Sequence, residues 1–370
     1  MTIIILDGDF MKRTIYIITT FLLLVIGIVM IYSSSSVWAL YKTGNDKYYL
    51  YRQLLFAFLG IIVYFISYSI NYNYWKKIID YIFLGSLLLL IIVLIPGIGV
   101  VKNGARSWIG FKEFSFQPSE FIKISYVLFL AKHLEKDDTK LLWYIMLTLI
   151  IFGLILMQPD FGTGVIFLIT IAFMMYISLL KYKYIIIGGV LAIIGFVFMI
   201  MMAPYRLERI FSFLNPWNDP LGSGFQIIQS LYAISPAALF GYGLFKSRQK
   251  YFYLPEPQND FIFAILCEEL GIIGGAFVII LFFILIYIGY NLLFHIKDRY
   301  AIYIVFGFTT LIAIQVFINI SVVIGLIPVT GVTLPFISYG GSSLLITMLM
   351  MGINTNVLKN VKKEAKYCLF

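Results

Sequence analysis

Asp260 is the residue around which chemistry is most readily placed. It closes the polar run 254–259 and opens an apolar stretch, in LPEPQNDFIFAILCEELG (254–271). Pro255 and Pro257 cannot continue a helix, and Asn259 or Asp260 is a natural N-cap for the helix that follows. Asp260 therefore has two readings. It is a cap worth about 1 kcal/mol, or it is a catalytic carboxylate at the surface end of that helix, acting as a general base or as a ligand for a divalent cation such as Mg2+ or Mn2+. Glu268 and Glu269 lie two turns further in, among residues of lipid-soluble type. Ionisable groups at such depth are costly, and they go with a task or a partner.

Four further clusters carry polar chemistry. In NGARSWIGFKEFSFQPSEFIK (103–123), Gln117-Pro118-Ser119-Glu120 reads as a helix start, with proline early and an acid in the first turn. Glu120 and Lys123 are three apart, so they share one helix face and can pair. A pair at membrane depth needs further partners to offset its desolvation, and Glu268 or Glu269 are candidates. Gln158-Pro159-Asp160-Phe161-Gly162-Thr163 is a tight turn or a capped helix start. Arg206 and Arg209 are spaced to clamp a phosphate, a task in which Lys is a poorer substitute. The run 325–343, GLIPVTGVTLPFISYGGSS, holds Pro328, Pro335, Gly331, Gly340, Gly341 and Ser343. Irregular backbone of this kind at membrane depth must line a cavity or be buried in protein.

Composition says what positions these residues. Of the 370 residues, 61% are hydrophobic and 12% charged, against roughly 25% charged in soluble domains. A soluble protein of this length could not hide so much apolar surface. The expected fold is all-α, a single polytopic membrane domain over 1–370. Ten spans suit the need for about 20 apolar residues each: 15–37, 51–71, 76–96, 118–134, 141–157, 161–180, 184–203, 260–290, 301–326 and 338–358. An even number puts both termini on one side. Lys12 and Arg13 in the N-terminal segment 1–14, and Lys359, Lys362, Lys363 and Lys366 in the tail 359–370, place that side in the cytoplasm. Met11, directly before that basic pair, is a second candidate start, and no cleavable signal is evident. The longest connection, 204–259, then faces outward, with one or two short interfacial helices in 225–245. That face keeps Arg106, Lys112, Arg206, Arg209, Lys246, Arg248 and Lys250 against the usual bias, which suits either an anionic ligand or lipid headgroups.

Several functions are excluded by what the sequence lacks. It has no Walker A loop and no dinucleotide glycine fingerprint. His133 and His295 sit at distant helix ends, which argues against a zinc site or a histidine triad. The net charge of +9 belongs to a membrane protein's basic loops, so a nucleic-acid partner is not expected. No internal or inverted repeat of the transporter kind stands out.

Taken in order, ARSW-(8)-QPSEFIK, QPDFGTG, GFQIIQSLYAI, SRQKYFYLPEPQNDFIFAILCEELG and GLIPVTGVTLPFISYGGSS resemble the shape, elongation, division and sporulation family over nearly the whole chain. YLPEPQNDF with QSLYAI and SRQKYF is more similar to its FtsW and SpoVE branch than to RodA. The resemblance implies a ten-helix fold and peptidoglycan glycosyltransferase activity on lipid II in the bacterial plasma membrane, with a class B penicillin-binding protein as partner. It places the family's essential acid on Asp260 and its recurrent polar sites on Trp108, Glu120, Lys123 and Ser343. The sequence departs from the pattern at two places: Ala237-Ala238 stands where the family has Gly-Gly, and Phe245 where it has Gly. For the chemistry, Asp260 would take the proton of a sugar hydroxyl. Arg106, Arg206, Arg209, Lys246, Arg248 and Lys250 would stabilise the leaving diphosphate. Two other readings stand beside this one. A lipid II flippase would pass the headgroup along Glu120, Lys123, Glu268 and Glu269. A non-catalytic scaffold would only recruit a synthase.

The topology has a direct test. A cysteine at Asn218 should react with an impermeant thiol reagent in intact cells. Labelling only after lysis would contradict the orientation.

Overall fold

The computed structural model describes residues 2–102, 105–111, 114–136, 141–178 and 211–367, with single positions 186, 189, 190, 195 and 209 between them. The helices are α1 (Thr2–Thr43), α2 (Tyr48–Ser69), α3 (Tyr72–Ile92), α4 (Pro118–Leu134), α5 (Leu141–Leu156), α6 (Phe161–Ile177), α7 (Phe225–Ile234), α8 (Ile262–Leu292), α9 (Arg299–Val323) and α10 (Gly341–Tyr367). Nine of the ten expected spans coincide with these helices, α7 being the short helix expected in the long connection. The tenth, 184–203, lies almost wholly outside the described residues. Among the described residues, five helices are long and apolar enough to cross a membrane: Phe10–Thr43, Tyr48–Ser69, Ile262–His295, Arg299–Val323 and Gly341–Asn360.

Local chemistry sets the helix starts. Pro118 occupies the first turn of α4. Asn71, Asp160 and Asp298 accept hydrogen bonds from the amides of Asn73, Thr163 and Tyr300 and so cap α3, α6 and α9. α9 is the central pole, with 78% of its apolar window buried. It packs against α4, α6 and α8, and it is apolar all round, as a helix enclosed by others should be. α2 and α10 meet closely: a Cβ on Gly352 would lie 1.9 Å from Ser67 Oγ. Small residues at such contacts let backbones approach, and polar side chains bond across them. Tyr64 donates to Thr355, and Asn356 bonds the carbonyl of Tyr68 and the amide of Tyr72.

One element was not expected from the sequence. Between α3 and α4 the chain forms a three-stranded antiparallel sheet, β1 (Gly99–Lys102), β2 (Ala105–Phe111) and β3 (Phe114–Phe116). Trp108 pairs with Val100, and Ile109 with Phe116.

α8 is broken inside its span. Gly271 takes φ 70, ψ −170, which interrupts the helical ladder at membrane depth. The freed groups are taken up by the segment after α7. The amides of Tyr242 and Gly243 donate to the carbonyls of Glu268 and Glu269, and those of Ile272 and Ile273 donate to Ala238 and Leu239. Backbone freed in lipid must be satisfied inside the protein, and here it is. Gly241 and Gly271 stand back to back: a Cβ on Gly271 would meet the Leu239 oxygen at 2.2 Å, and one on Gly241 the Glu269 oxygen at 2.3 Å. Ala238 and Phe245, the two departures from the family pattern, both have positive φ, 51° and 66°. The family's glycines would fit those conformations without a Cβ penalty.

Gly271 and Gly331 share a φ near +70°, but nothing lies within 4 Å of a Cβ on Gly331. Gly331→Ala should therefore cost about 1–2 kcal/mol, the left-handed penalty alone. Gly271→Ala must also move backbone and should cost clearly more, measured as melting of the purified protein in detergent. Equal losses would contradict the graft at Gly271.

Candidate active site

One end of the bundle gathers the polar clusters. Asp160 is its first knot. One carboxylate oxygen accepts from Gln117 Nε2 and Ser119 Oγ, both at 2.7 Å, while the other caps α6. The Gln117 amide donates to Ser342 Oγ, and Ser342 donates to the Ser115 carbonyl. Ser343 shares a hydrogen bond with Thr333. Gln158 is buried and donates to the last turn of α3 at Leu90. The ends of α3 and β3 and the starts of α4, α6 and α10 are thereby tied together. Gly162 and Gly341 stand where chains crowd: a Cβ on Gly162 would meet Val332, and one on Gly341 the ring of Phe56, whereas one on Gly340 would make only an ordinary contact with Ser343. Pro335 is buried in the mouth segment between α9 and α10.

Asp260 lies in this end, half-buried, two residues before α8. The expected cap does not form: Phe261 is the N-cap, and no side chain caps α8. Asp260 is instead held by its backbone. Its carbonyl accepts from Asn319 Nδ2 at 2.8 Å, and the same nitrogen donates to the Val332 carbonyl at 2.7 Å. The preceding loop is tied down as well, Gln258 accepting at its carbonyl from the amide of Tyr339 and Lys42 reaching Glu256 at 3.4 Å. Burial pushes the Asp260 carboxyl above its ordinary range. Its own amide and the positive charge of Arg209 act against that rise, and Glu256 adds to it. Desolvation thus outweighs the amide and the positive charge that favour the ionised form.

Arg209 is exposed, and its Nη1 donates to the Val329 carbonyl beside this mouth. Lys246 is exposed, and Arg248 is exposed with its guanidinium 4.4 Å over the Tyr242 ring. Arg106 and Trp108 are half-buried on β2. Arg206 and Lys112 lie outside the described residues. Lys250 departs from its expected role. It is 4% exposed, and its ammonium bonds the Phe245 carbonyl and the Glu269 carboxylate, so it faces inward and not toward a ligand.

Glu268 and Glu269 also have other partners than expected. Glu269 accepts from Ser33 Oγ, the amides of Phe245 and Ser247, and Lys250. Glu268 accepts from Ser247 Oγ and the amides of Arg248 and Gln249. Both carboxylates therefore hold the segment 242–250 and not the Glu120–Lys123 pair. That pair closes on itself at 2.7 Å, with both side chains buried. The sequence missed Ser33 and Asn319. Ser33 sits in the run Ser33–Ser36, a polar signal in an apolar helix, whereas Asn319 carries no signal beyond being a lone amide within a span.

Among the described residues no group of three or more His, Cys, Asp or Glu could hold a metal ion. Mg2+ is commonly bound through one or two carboxylates together with substrate phosphates. Asp260, at an end carrying exposed cations, fits that limited role.

A helical bundle of apolar spans with a carboxylate held at one mouth beside the charge of Arg209 defines a polytopic membrane protein with a polar site at that mouth. The model of the FtsW, RodA and SpoVE cell cycle proteins matches residues 13–363, and the chain belongs to that family. It is 47% identical to stage V sporulation protein E of Bacillus subtilis, over 95% of this chain and 97% of the relative. It is 38% identical to the probable peptidoglycan glycosyltransferase FtsW of a Geobacter species, covering 92% and 94%. A chain from a peptidoglycan synthase complex that coordinates polymerisation and crosslinking superposes with TM-score 0.70 and 29% identity, covering 90% and 96%. The rod shape determining protein RodA of Thermus thermophilus shares the fold, with TM-score 0.68 over 93% of this chain and 96% of that one.

Removing a partner from a buried charge pair costs about 3–5 kcal/mol. Glu269→Ala should cost this much, because Ser33, two amides and Lys250 lose their acceptor together. Glu269→Gln keeps an acceptor oxygen and should lose less. Size-exclusion profiles of the solubilised proteins would rank them, and an unchanged Glu269→Ala would refute the anchoring role.

Proposed function

We infer that the chain is a peptidoglycan glycosyltransferase that polymerises lipid II, with Asp260 as its catalytic carboxylate. The observation that carries this is the placement of Asp260: half-buried at a mouth, raised in pKa by burial, and beside the charge of Arg209. In the reaction an acceptor-sugar hydroxyl attacks the anomeric carbon of a second lipid II. A C–O bond forms there, the bond from that carbon to the lipid diphosphate breaks, and Asp260 takes the hydroxyl proton. A raised pKa suits a base, since the best base has a pKa near the working pH. Arg209, Lys246 and Arg248 are the described cations placed to balance the departing diphosphate, with Arg106 and Arg206 as further candidates. In place of base catalysis, Asp260 would hold a divalent cation, Mg2+ or Mn2+, together with diphosphate oxygens, and that cation would supply charge neutralisation at the leaving group.

We also propose that the site end faces outward, with both termini cytoplasmic and the chain in the plasma membrane. A class B penicillin-binding protein is the proposed partner, supported by the likeness to a chain of a synthase complex. The features that suited a flippase now point elsewhere: Glu120 is paired with Lys123, and Glu268 and Glu269 are occupied by their own loop.

Asp260→Asn tests the assignment. Turnover of purified lipid II should fall by roughly 100-fold or more, the scale of a missing general base. The wild-type rate should fall in acid with an inflection above the ordinary value of 3.8, because the carboxylate is lost as pH drops through the raised pKa. For stability the sign is opposite. An acid with a raised folded pKa stabilises most below its unfolded pKa, and that contribution disappears as pH rises through the folded value. Asp260→Asn should therefore melt no lower than wild type at neutral pH. Near-wild-type polymerisation by the variant would remove Asp260 from the mechanism.

A further inference from the structure

We propose that Asn319 is the positioning residue of the Asp260 carboxylate, acting through the Asp260 peptide. This rests on the glycosyl-transfer reading above. Asn319 is 1% exposed on α9, the buried pole of the bundle. Its Nδ2 donates at once to the carbonyl of Asp260 and to that of Val332 in the mouth segment. Its Oδ1 is buried without a partner among the described residues, so the two N–H bonds set the amide's orientation.

Asp260 needs such a clasp. It sits outside the helical ladder of α8 and makes no cap, so helix geometry does not orient its peptide. A single methylene joins the carboxylate to the backbone, and a turned peptide therefore displaces the carboxylate directly. Asn319 joins three parts at this point, the loop before α8, the segment before α10 and the rigid pole, the first two being also linked by the Tyr339 amide to the Gln258 carbonyl. The segment before α10 has a second anchor on α9. Gln315, one turn from Asn319, donates from Nε2 to the carbonyl of Thr333, next to Val332, at 2.9 Å. Gln315 anchors the same segment without a bond to Asp260, and this separates positioning of the acid from anchoring of the loop.

The test compares Asn319→Ala with Gln315→Ala in the full-length protein assayed with its transpeptidase partner on lipid II. A displacement of about 1 Å at a reacting group costs about 100-fold. Asn319→Ala should lower kcat by about that factor with KM within about threefold, while Gln315→Ala stays within about threefold in both. In an Asp260→Asn background, Asn319→Ala should bring no further loss, because the group it positions is gone. Equal losses from the two alanine variants, or multiplied losses in the double variant, would overturn the proposal. A second readout needs no turnover. Modification of Asp260 by a water-soluble carbodiimide, followed by peptide mass, should change several-fold in Asn319→Ala and not in Gln315→Ala. Unchanged modification would also overturn it. If the wild type fails to polymerise, the glycosyl-transfer reading falls, and carbodiimide labelling alone decides the role of Asn319. If Asn319→Ala gives no folded protein, Asn319→Ser, which keeps one donor, carries the same comparison with an intermediate loss.

Discussion

Two carboxylates buried in a broken helix are the constraint on which the rest of this structure depends. Glu268 and Glu269 sit just before Gly271, where α8 loses its ladder. Charge and free backbone at that depth must both be satisfied by protein. The chain answers both needs with one segment. Residues 238–243 supply the missing backbone partners, and residues 245–250 supply amides, a hydroxyl and an ammonium to the carboxylates. Ser33 brings α1 to the same point. The long connection is thereby fixed to the bundle, and Lys246 and Arg248 are presented on its exposed side.

Asp260 is the counterpart of this arrangement at the mouth. The interior carboxylates are fully supplied with donors, whereas Asp260 has its backbone held and its side chain left half-buried beside a charge of each sign. A satisfied carboxylate is structural. One that desolvation penalises and the fold still positions is poised for reaction. The contrast between Glu269 and Asp260 lies in what each side chain bonds to, since both are acids on or beside the same helix.

Much of this was legible in the sequence, and the failures have physical causes. The spans could be read because lipid solubility demands long apolar runs, and the start of α4 because proline and an early acid are local signals. Asp160 was read as a turn or cap, and it does cap α6. Of the two readings of Asp260 the cap does not form: the same residue types that cap a helix also end a loop, and only the chain path shows the helix beginning at Ile262. Lys250 was grouped with the outward cations because side-chain direction in a loop has no period. The partners of Glu268 and Glu269 could not be read at all, since they depend on a break at Gly271 and on the chain 19 to 24 residues earlier in sequence returning to the helix. The strands β1–β3 are short, and glycines and charges in the segment hide their alternation. Asn319 shows its role only once α9 is known to pass between two loops.

The central claim is that the mouth of this bundle joins sugars and does not pass lipids through. The most direct measurement supplies lipid II to one leaflet of sealed vesicles holding the protein and its transpeptidase partner, then follows glycan polymer and leaflet position together. Polymer should form from substrate on the face where residues 211–260 lie, with no movement of lipid II between leaflets. Movement of lipid II across the bilayer without polymer would contradict it.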